Sequence, residues 1–534
     1  MSEISKVAKA AGTSGAATLT SRILGFIRDA STAWLCGTGM AADAFFVAFR
    51  IPNLLRQLVG EGALNDAFVP VFTEKLVREG KAEAEKLAGA TFRFLAVALI
   101  VITVLGMVFT PFVVKVIAPG FDRIPSKLEL TVYLTRITFP YIFFISLVAL
   151  CQAILNTLGH FFAPAFGPVL LNLSMIFSIY FVAPFVEPRV LGLCIGVVAG
   201  GVIQLLFQLP YMSVRGIKPW KRLSLYHPAM KRILFLLGPR AMSTAAYQIN
   251  MLVGTQLASL LPAGSVSYLY YAGRIGEMPY GIVAVSISTA VLPTLSRQAA
   301  KNDREGFLES FGYAMRLMLF VTVPAAVGQI VLNRPIVTLL FERSAFTALS
   351  TTNTASAFLF YSLGLCSFSA VPLLTRPFSA LQDTVTPART ALITVFANVA
   401  FSVALMVPMA HRGLALATTL ASTLNVGLLT YHLKRRFGKL GGRAIVFSFL
   451  RTMTAAAVMA AVVYGLRLAL IGDVKLRTLD LLWRLGFCIA AGMAAYAMAA
   501  RVVAREEFGF ALDVFPFRRL SRLLARLSSV FRKR

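Results

Sequence analysis

Acidic residues are scarce in this chain, and so are histidine, cysteine and tryptophan. Its 534 residues include 23 Asp and Glu against 52 Lys and Arg, with 4 His, 5 Cys and 3 Trp. The cysteines are scattered and form no Cys-x-x-Cys pair, so neither a zinc site nor a disulfide framework is expected. The histidines show no spacing typical of metal ligands. We therefore expect neither a metal nor a cofactor.

Long apolar runs take the place of charge. Hydrophobic residues make up 57% of the chain and charged residues 14%, whereas soluble domains carry about 25% charge. Runs near twenty residues are long enough to cross a hydrocarbon core as helices, and continuous runs argue against a membrane β-barrel. The sequence predicts an all-α polytopic membrane protein with about fourteen transmembrane helices, near residues 14–36, 41–62, 88–117, 129–157, 163–184, 189–213, 233–260, 265–295, 309–332, 352–380, 388–409, 412–433, 446–470 and 481–503. The second and eighth spans contain prolines and polar groups and are expected to be broken or bent.

The formal net charge of +29 comes mostly from connections between spans and from the end of the chain. Basic residues cluster at 75–86, 215–232, 434–443 and 518–534, which is the positive-inside pattern with both termini cytoplasmic. This placement favours anionic lipid over nucleic acid as the partner. Residues 508–534 are predicted to form a basic cytoplasmic amphipathic tail on the membrane surface. A plain stop-transfer anchor is the alternative for that tail.

A faint internal repeat indicates two related halves. The stretch Gly39–Glu74 resembles Gly264–Arg297, and the match aligns Arg50 with Arg274 and Pro70 with Pro293. Two repeats that face a central site are typical of transporters. The predicted domains are an N-lobe at 1–232 (spans 1–6), a C-lobe at 233–440 (spans 7–12), a C-terminal helix pair at 441–507 (spans 13–14) and the tail at 508–534.

Charged and polar residues inside the spans are the candidate functional residues. They are Arg22, Arg28 and Asp29 in the first span, Asp43, Arg50, Asn53 and Arg56 in the second, and Ser267, Arg274 and Glu277 in the eighth. A charge at mid-bilayer costs a few kcal/mol, so such residues usually face a water-filled cavity or a partner. Arginine presents a planar, permanently charged fork that matches phosphate oxygens. The cluster predicts a cavity that binds pyrophosphate; the alternative is that each arginine pairs with a carboxylate and ties helices together.

At these residues the chain resembles a known family. The segments SRILGFIRDA (21–30), GMAADAFFVAFRIPNLLRQLVGEGALNDAFVPVF (39–72) and GSVSYLYYAGRIGEMPYGI (264–282) are similar to the signature of the MurJ/MviN family of lipid II flippases. That family belongs to the multidrug/oligosaccharidyl-lipid/polysaccharide exporter superfamily. The resemblance implies fourteen helices, with two six-helix lobes in a V around a central cationic cavity. It also implies that the last two helices line a groove for the lipid tail.

The resemblance also implies a function. Family members flip lipid II, undecaprenyl-pyrophosphoryl-MurNAc-pentapeptide-GlcNAc, from the cytoplasmic to the outer leaflet of the bacterial inner membrane. The expected partners are lipid II, membrane lipids and proteins of cell-wall synthesis. The family's cavity arginines match Arg22, Arg28, Arg56 and Arg274, and its other important polar positions match Asp29, Asp43, Asn53, Ser267 and Glu277. Gly273 departs from the acidic residue that many relatives carry there. The seventh span lacks the acidic residue of a proposed sodium site, so no such site is carried over.

Three alternatives compete with this interpretation. A multidrug or amphiphile exporter of the same superfamily would favour carboxylates and aromatic rings for cationic substrates. A flippase for another polyprenyl-pyrophosphate-linked glycan differs only in the headgroup. A membrane enzyme would need a nucleophile, base or metal constellation, and no HExxH, GxSxG or clustered Asp/His set occurs in the sequence. We therefore expect a transporter and not an enzyme. A receptor or scaffold role is also not excluded by the sequence, but it leaves the buried arginines unexplained.

Overall fold

The computed structural model describes residues 3–56, 64–220, 226–438, 440–472 and 476–514, and within these ranges it is helical with no strands. The chain divides into two compact units. Unit 1 contains residues 1–267 and 341–350, and unit 2 contains residues 268–340 and 351–534. The predicted lobe boundaries at 232 and 440 remain a prediction.

Unit 1 is built from the first ten helices and the start of the eleventh. Their bounds are α1 Glu3–Cys36, α2 Met40–Leu55, α3 Leu64–Arg78, α4 Lys81–Val108, α5 Thr110–Ile117, a 3-10 turn Pro119–Arg123, α6 Pro125–Thr138, α7 Tyr141–Thr157, α8 Phe162–Phe181, a 3-10 turn Ala183–Phe185, α9 Leu191–Val214, α10 Met230–Ser259 and α11 Ser265–Pro279.

Unit 2 contains most of α11 and the helices that follow. After a π-helical turn at Tyr280–Ala284 come α12 Val285–Ala300, α13 Arg304–Val331, α14 Asn333–Phe341, α15 Ala348–Ala380, α16 Val385–Met409, α17 His411–Phe437, α18 Gly442–Leu470, α19 Thr478–Val503 and α20 Arg505–Val514. The last residue of α14, Phe341, and the first three residues of α15 belong to unit 1.

Each predicted span falls on a helical element of the described chain. The eighth is broken, as predicted: α11 ends at Pro279, and a π-helical turn separates it from α12. Proline cannot donate the backbone hydrogen bond that a continuous α-helix needs at this position. The second span contains Pro52 inside α2, and its last part, residues 57–62, lies outside the described residues.

Ten of the described helical segments are long and apolar enough to cross a membrane. The four predicted spans that are not among these ten correspond to α1, α2, α10 and the α11–α12 pair. Three of these four predicted spans contain the charged residues singled out in the sequence. The described parts of α2, α11 and α12 are 16, 15 and 16 residues long, which is shorter than a full membrane crossing. The count of fourteen crossings therefore remains a prediction.

Close helix packing inside unit 1 depends on small residues. Gly192, Gly196 and Gly200 lie one turn apart on α9, and a Cβ atom on each would come within 2.6–2.7 Å of an atom of the neighbouring segment 171–183. Backbones that approach this closely gain van der Waals contact along their length, as is common between membrane helices. The α8–α9 pair is therefore tightly packed along the part of α8 that contains Asn172.

At the end of the chain, α20 packs against α13 within unit 2. The guanidinium of Arg316 forms ion pairs with Glu506 and Glu507, and the Tyr313 and Phe510 rings are 4.5 Å apart. The predicted tail begins inside this helix, and its residues from 515 onward lie outside the described residues.

Candidate substrate site

Arg28 on α1 is held from two directions. Its Nη2 lies 2.7 Å from Oδ1 of Asp29, and its Nη1 donates a hydrogen bond of 3.0 Å to Oδ1 of Asn172 on α8. The Asn172 amide in turn donates to the carbonyl oxygen of Ser21, 3.0 Å away. The Arg28 side chain is 12% exposed and that of Asp29 2% exposed. A guanidinium fixed this way has little rotamer entropy left to lose when it binds an anion.

Arg22 lies on the same helix, two turns before Asp29, and its side chain is exposed. Its exposure leaves the guanidinium accessible from outside unit 1. Together, residues 22 to 56 contain four arginines and two aspartates, so this stretch carries a net positive charge.

The second helix positions Arg50, Asn53 and Arg56. The Arg50 Nη1 atom donates to Thr255 Oγ1 at 2.6 Å and to the carbonyl oxygen of Met251 at 2.9 Å, both on α10. Six residues further along the chain, Arg56 Nε donates to Asn53 Oδ1 at 3.1 Å. Arg50 therefore ties α2 to α10, whereas Asn53 orients Arg56 at the end of α2.

Asp43 has a different environment from the arginines. Its Oδ2 atom lies 2.7 Å from Lys127 Nζ on α6 and accepts a 2.7 Å hydrogen bond from the Gly264 backbone N–H. Its Oδ1 atom accepts from the backbone N–H of Ser267 at 2.9 Å and from the Ser267 hydroxyl at 2.5 Å. The carboxylate of α2 thus caps the first turn of α11, whose N-terminal N–H groups need acceptors.

Burial separates this group from any bound ligand. Asp43 is 1% exposed, Ser267 0% and Lys127 3%, and Lys127 Nζ also lies 4.0 Å above the Phe121 ring. The structure brings the two predicted residues Asp43 and Ser267 together, but neither side chain is accessible in this conformation. Their geometry is that of a tie between α2, α6 and the start of α11.

Arg274 and Glu277 lie on α11 in unit 2. The Arg274 Nη1 and Glu277 Oε2 atoms are 3.8 Å apart, and the two side chains are 35% and 63% exposed. Solvent screens such a pair strongly. Both groups are therefore accessible to a ligand. Gly273 and Gly276 on the same helix lie close to Tyr361 of α15, since a Cβ on either would be 4.0 and 3.5 Å from that residue.

Three side chains that contact candidate residues, those of Lys127, Asn172 and Thr255, were not predicted from the sequence. Lys127 lies at a predicted span end, where a basic residue is usually interfacial, and Asn172 is a single amide in the apolar run of α8. The signal for Asn172 was its polarity inside a span, because a polar group buried in hydrocarbon needs a partner. The sequence carried no signal for Lys127, since its partner is 84 positions away.

Asp383 lies two residues before the first residue of α16. Its carboxylate accepts hydrogen bonds from the Thr386 backbone N–H at 3.0 Å and hydroxyl at 2.8 Å, and it pairs with Arg436 Nη1 at 3.2 Å. The Thr386 N–H chiefly, with its hydroxyl and Arg436, holds the pKa of this carboxyl below its usual value. The Asp383 carboxylate therefore caps the first turn of α16. No group of three His, Cys, Asp or Glu residues suited to a metal occurs in the described part of the chain.

Comparison with known proteins decides the family. The model of the family described as lipid II flippase MurJ matches residues 32–474. The chain belongs to the lipid II flippase MurJ family. A probable lipid II flippase MurJ of Vibrio cholerae is 36% identical over 436 residues, covering 79% of this chain and 83% of the relative. That of Rhizobium tropici is 38% identical over 430 residues, covering 79% and 80%.

Solved structures agree with membership of the MurJ family. A lipid II flippase MurJ in an inward closed conformation matches with a TM-score of 0.76 and 28% identity, over 91% of this chain and 98% of that one. An inward-facing multidrug resistance MATE family transporter of the MOP superfamily matches with a TM-score of 0.65 and 16% identity, over 80% and 98%, which shows the fold alone. With its long apolar helices, this MurJ-family chain is a multi-pass protein of the bacterial inner membrane.

Proposed function

We propose that this protein flips lipid II from the cytoplasmic to the outer leaflet by alternating access, with an arginine cluster that binds the pyrophosphate. Membership of the lipid II flippase MurJ family supports the substrate. The observation that carries the binding mode is the cationic pair of helices α1 and α2, in which Arg28 is pre-positioned by Asp29 and Asn172. This MurJ-family protein acts as a transporter and not as an enzyme.

The arginines have separate roles in this proposal. Arg28, Arg56 and Arg274 bind the pyrophosphate, because a guanidinium offers paired N–H donors that fit two oxygens of one phosphate. Arg22 contributes positive charge at the exposed part of α1. Asp29 and Asn53 orient Arg28 and Arg56, as their short distances to these arginines support. Glu277 is an exposed carboxylate 3.8 Å from Arg274.

Asp43 and Ser267 act through helix packing in this proposal. Their hydrogen bonds close the junction between α2 and the start of α11, with Lys127 neutralising the carboxylate. An alternating-access cycle needs such junctions to have two arrangements. The pair therefore belongs to the transport machinery without contacting the substrate in this conformation.

The lipid tail stays in hydrocarbon throughout. The sugar-peptide headgroup pays a large desolvation cost outside a polar cavity, so it crosses inside the protein while the tail follows a groove along α18 and α19. Both termini lie in the cytoplasm, as the basic connections indicate.

Binding of pyrophosphate favours closure because it bridges like charges, provided that the two conformations bind it with different affinity. The membrane potential resets the cationic cavity, at about 2.3 kcal/mol per charge and 100 mV.

The test is depletion of the protein in its native bacterium, followed by measurement of lipid II in each leaflet. We expect lipid II to accumulate on the cytoplasmic side and the intact gene to reverse this. Arg28→Ala or Arg274→Ala should abolish growth support while the protein stays folded in the membrane, and Arg189→Ala, at an exposed arginine between α8 and α9, is the matched control.

Two results would contradict the proposal. Normal growth with Arg28→Ala or Arg274→Ala would end the roles given to these arginines. Depletion could instead leave the lipid II distribution unchanged while a different polyprenyl-linked glycan accumulates. That result would identify the accumulating glycan, and not lipid II, as the substrate.

A further inference from the structure

Unit 2 contains a large cavity that none of the arginines proposed to bind the pyrophosphate lines. Its volume is about 1130 Å³, and it lies among α13, α15, α17 and the beginning of α18, with Glu506 of α20 at one side. Pockets for drug-sized ligands reach about 1,000 Å³. The cavity is therefore large enough for a ligand with a long apolar part.

One side of the cavity is strongly cationic. Lys434, Arg443 and Arg451 line it, and all three are exposed. Among the described residues that line it, the single acidic side chain is Glu506, which is ion-paired with Arg316. The lining thus carries four cations and one anion, and the surplus charge lies on the three exposed residues.

The beginning of α18 adds to this positive side. Gly441 precedes the helix with a positive φ of 66° and makes no side-chain cap hydrogen bond, and residues Gly441–Ile445 line the cavity. The first N–H groups of a helix carry partial positive charge and point away from its body. In this 29-residue helix, they lie beside Arg443, so an anionic group placed there meets both.

The deeper lining is apolar. Phe311 and Leu319 of α13 and Val426 of α17 contribute to it, and the adjacent Val446 and Phe447 at the start of α18 are exposed. A ligand bound here has one anionic end near the basic residues and a hydrocarbon portion against α13 and α17. That combination is the chemistry of a membrane lipid with a phosphate headgroup.

We propose that this cavity binds an anionic phospholipid, with the phosphate at Lys434, Arg443 and the start of α18 and an acyl chain along α13 and α17. The basic α17–α18 connection places the headgroup in the cytoplasmic leaflet by the positive-inside rule. The site is distinct from the pyrophosphate site, which uses α1, α2 and α11. The inference does not depend on lipid II being the transported substrate.

The test is native mass spectrometry of the full-length protein with phosphatidylglycerol, with phosphatidylethanolamine of the same chains, and with polyprenyl diphosphate that lacks sugars. We expect the wild type to retain phosphatidylglycerol in preference to phosphatidylethanolamine. Lys434→Gln with Arg443→Gln should weaken phosphatidylglycerol binding about tenfold or more, because each basic residue near an anionic headgroup contributes to its attraction.

The matched control is Arg297→Gln with Lys301→Gln. Both residues are exposed, lie in unit 2 and do not line the cavity. Their substitution removes the same charge, so phosphatidylglycerol binding should stay near that of the wild type. A third variant, Val426→Trp, should lower retention of both phospholipids by filling the apolar part. Thermal unfolding of each variant establishes that it is folded.

Each other outcome overturns the proposal. Equal retention of the two phospholipids would mean a purely apolar pocket. Equal binding by the wild type and the Lys434 and Arg443 variant would place the lipid elsewhere. Preferential capture of polyprenyl diphosphate, sensitive to the same two changes, would assign the cavity to the tail and phosphate of a polyprenyl substrate. Growth support by the variant with Lys434→Gln and Arg443→Gln is measured in parallel. It shows whether transport is intact, so a failure of the phospholipid proposal can be told apart from a failure of the transport proposal.

Discussion

The carboxylate of Asp43 lies 2.7 Å from the ammonium group of Lys127, and the two side chains are 1% and 4% exposed. A charge buried to this degree is destabilising unless its partner remains. The same carboxylate accepts three hydrogen bonds from Gly264 and Ser267. Asp43 and Lys127 therefore depend on each other for their buried, charged state.

Removal of one partner of this pair should cost more than removal of both. We expect Lys127→Met to lower the free energy of unfolding by about 3–5 kcal/mol, because it leaves a buried carboxylate without its cation. Asp43→Asn combined with Lys127→Met should recover part of that loss. The measurement is thermal or denaturant unfolding of the purified protein. The control is Lys115→Met, since the Lys115–Asp122 pair is about half exposed and should change stability by less than about 1 kcal/mol. A double variant no more stable than Lys127→Met would argue against the mutual dependence.

Asn172 should matter for transport through Arg28. Asn172→Leu removes the hydrogen bond to the Arg28 guanidinium, which as a bond to a charged group contributes about 1.5–3 kcal/mol. The Asp29 ion pair remains, so we expect reduced growth support in a depletion strain and not complete loss. Ser174→Ala is the control, because Ser174 lies on the same helix but donates to the Gly196 carbonyl. Full growth support by Asn172→Leu at low expression would show that Arg28 needs no positioning from α8.

Gly37 should tolerate no side chain. Its φ of 59° is in the left-handed region, and a Cβ atom there would lie 2.2 Å from the backbone oxygen of Ala345. We expect Gly37→Ala to destabilise unit 1 by more than about 1 kcal/mol, since left-handed backbone alone costs about that much. Gly39→Ala is the matched control two residues away, where φ is −113° and a Cβ would meet nothing within 4 Å. Equal unfolding temperatures for the two variants would contradict this prediction.

The lowered pKa of Asp383 should make the stability of the folded protein depend on pH, with a sign that follows from the direction of the shift. Its pKa is lowered in the folded protein, first by the Thr386 backbone N–H. Its contribution to stability is therefore complete above the unfolded value of about 3.9 and is lost as the pH falls through the lower folded value. Asp383→Asn should be less stable than the wild type at neutral pH, and the difference should shrink below about pH 4. Unfolding temperatures measured across this range test it. A difference that stays constant with pH would rule out the carboxylate as its source.

Much of the fold was predictable because apolar periodicity and proline act locally. All fourteen predicted spans coincide with helical elements, and Pro279 correctly indicated the break before α12. The short helices α3 and α14 were not predicted, since they lack a long apolar run, whereas α20 overlaps the start of the predicted amphipathic tail. The MurJ family was also correctly identified from its motifs.

The candidate site was less predictable, because the partner of a buried charge is set by tertiary packing. The seven-residue spacing of Asp43 and Arg50 puts both on one face of α2 but gives no information about their partners Lys127 and Thr255. Asn172 is 144 positions from Arg28, and no local pattern links them. The sequence thus indicated which residues are functional candidates. The structure shows which neighbouring residues contact the candidates that lie within the described part of the chain.

The polarity of α1 and α2 has a consequence for biogenesis. During synthesis, Asp43 emerges 84 residues before Lys127, and Arg28 emerges 144 residues before Asn172. An Arg at the centre of a membrane helix adds about 2.5–3.5 kcal/mol to the insertion free energy, whereas Asp43 lies in the first turn of α2. The partners of Arg28 and Asp43 on α8 and α6 are not yet synthesised when α1 and α2 reach the insertion machinery. We therefore expect these two contacts to form late, although they involve the earliest part of the nascent chain.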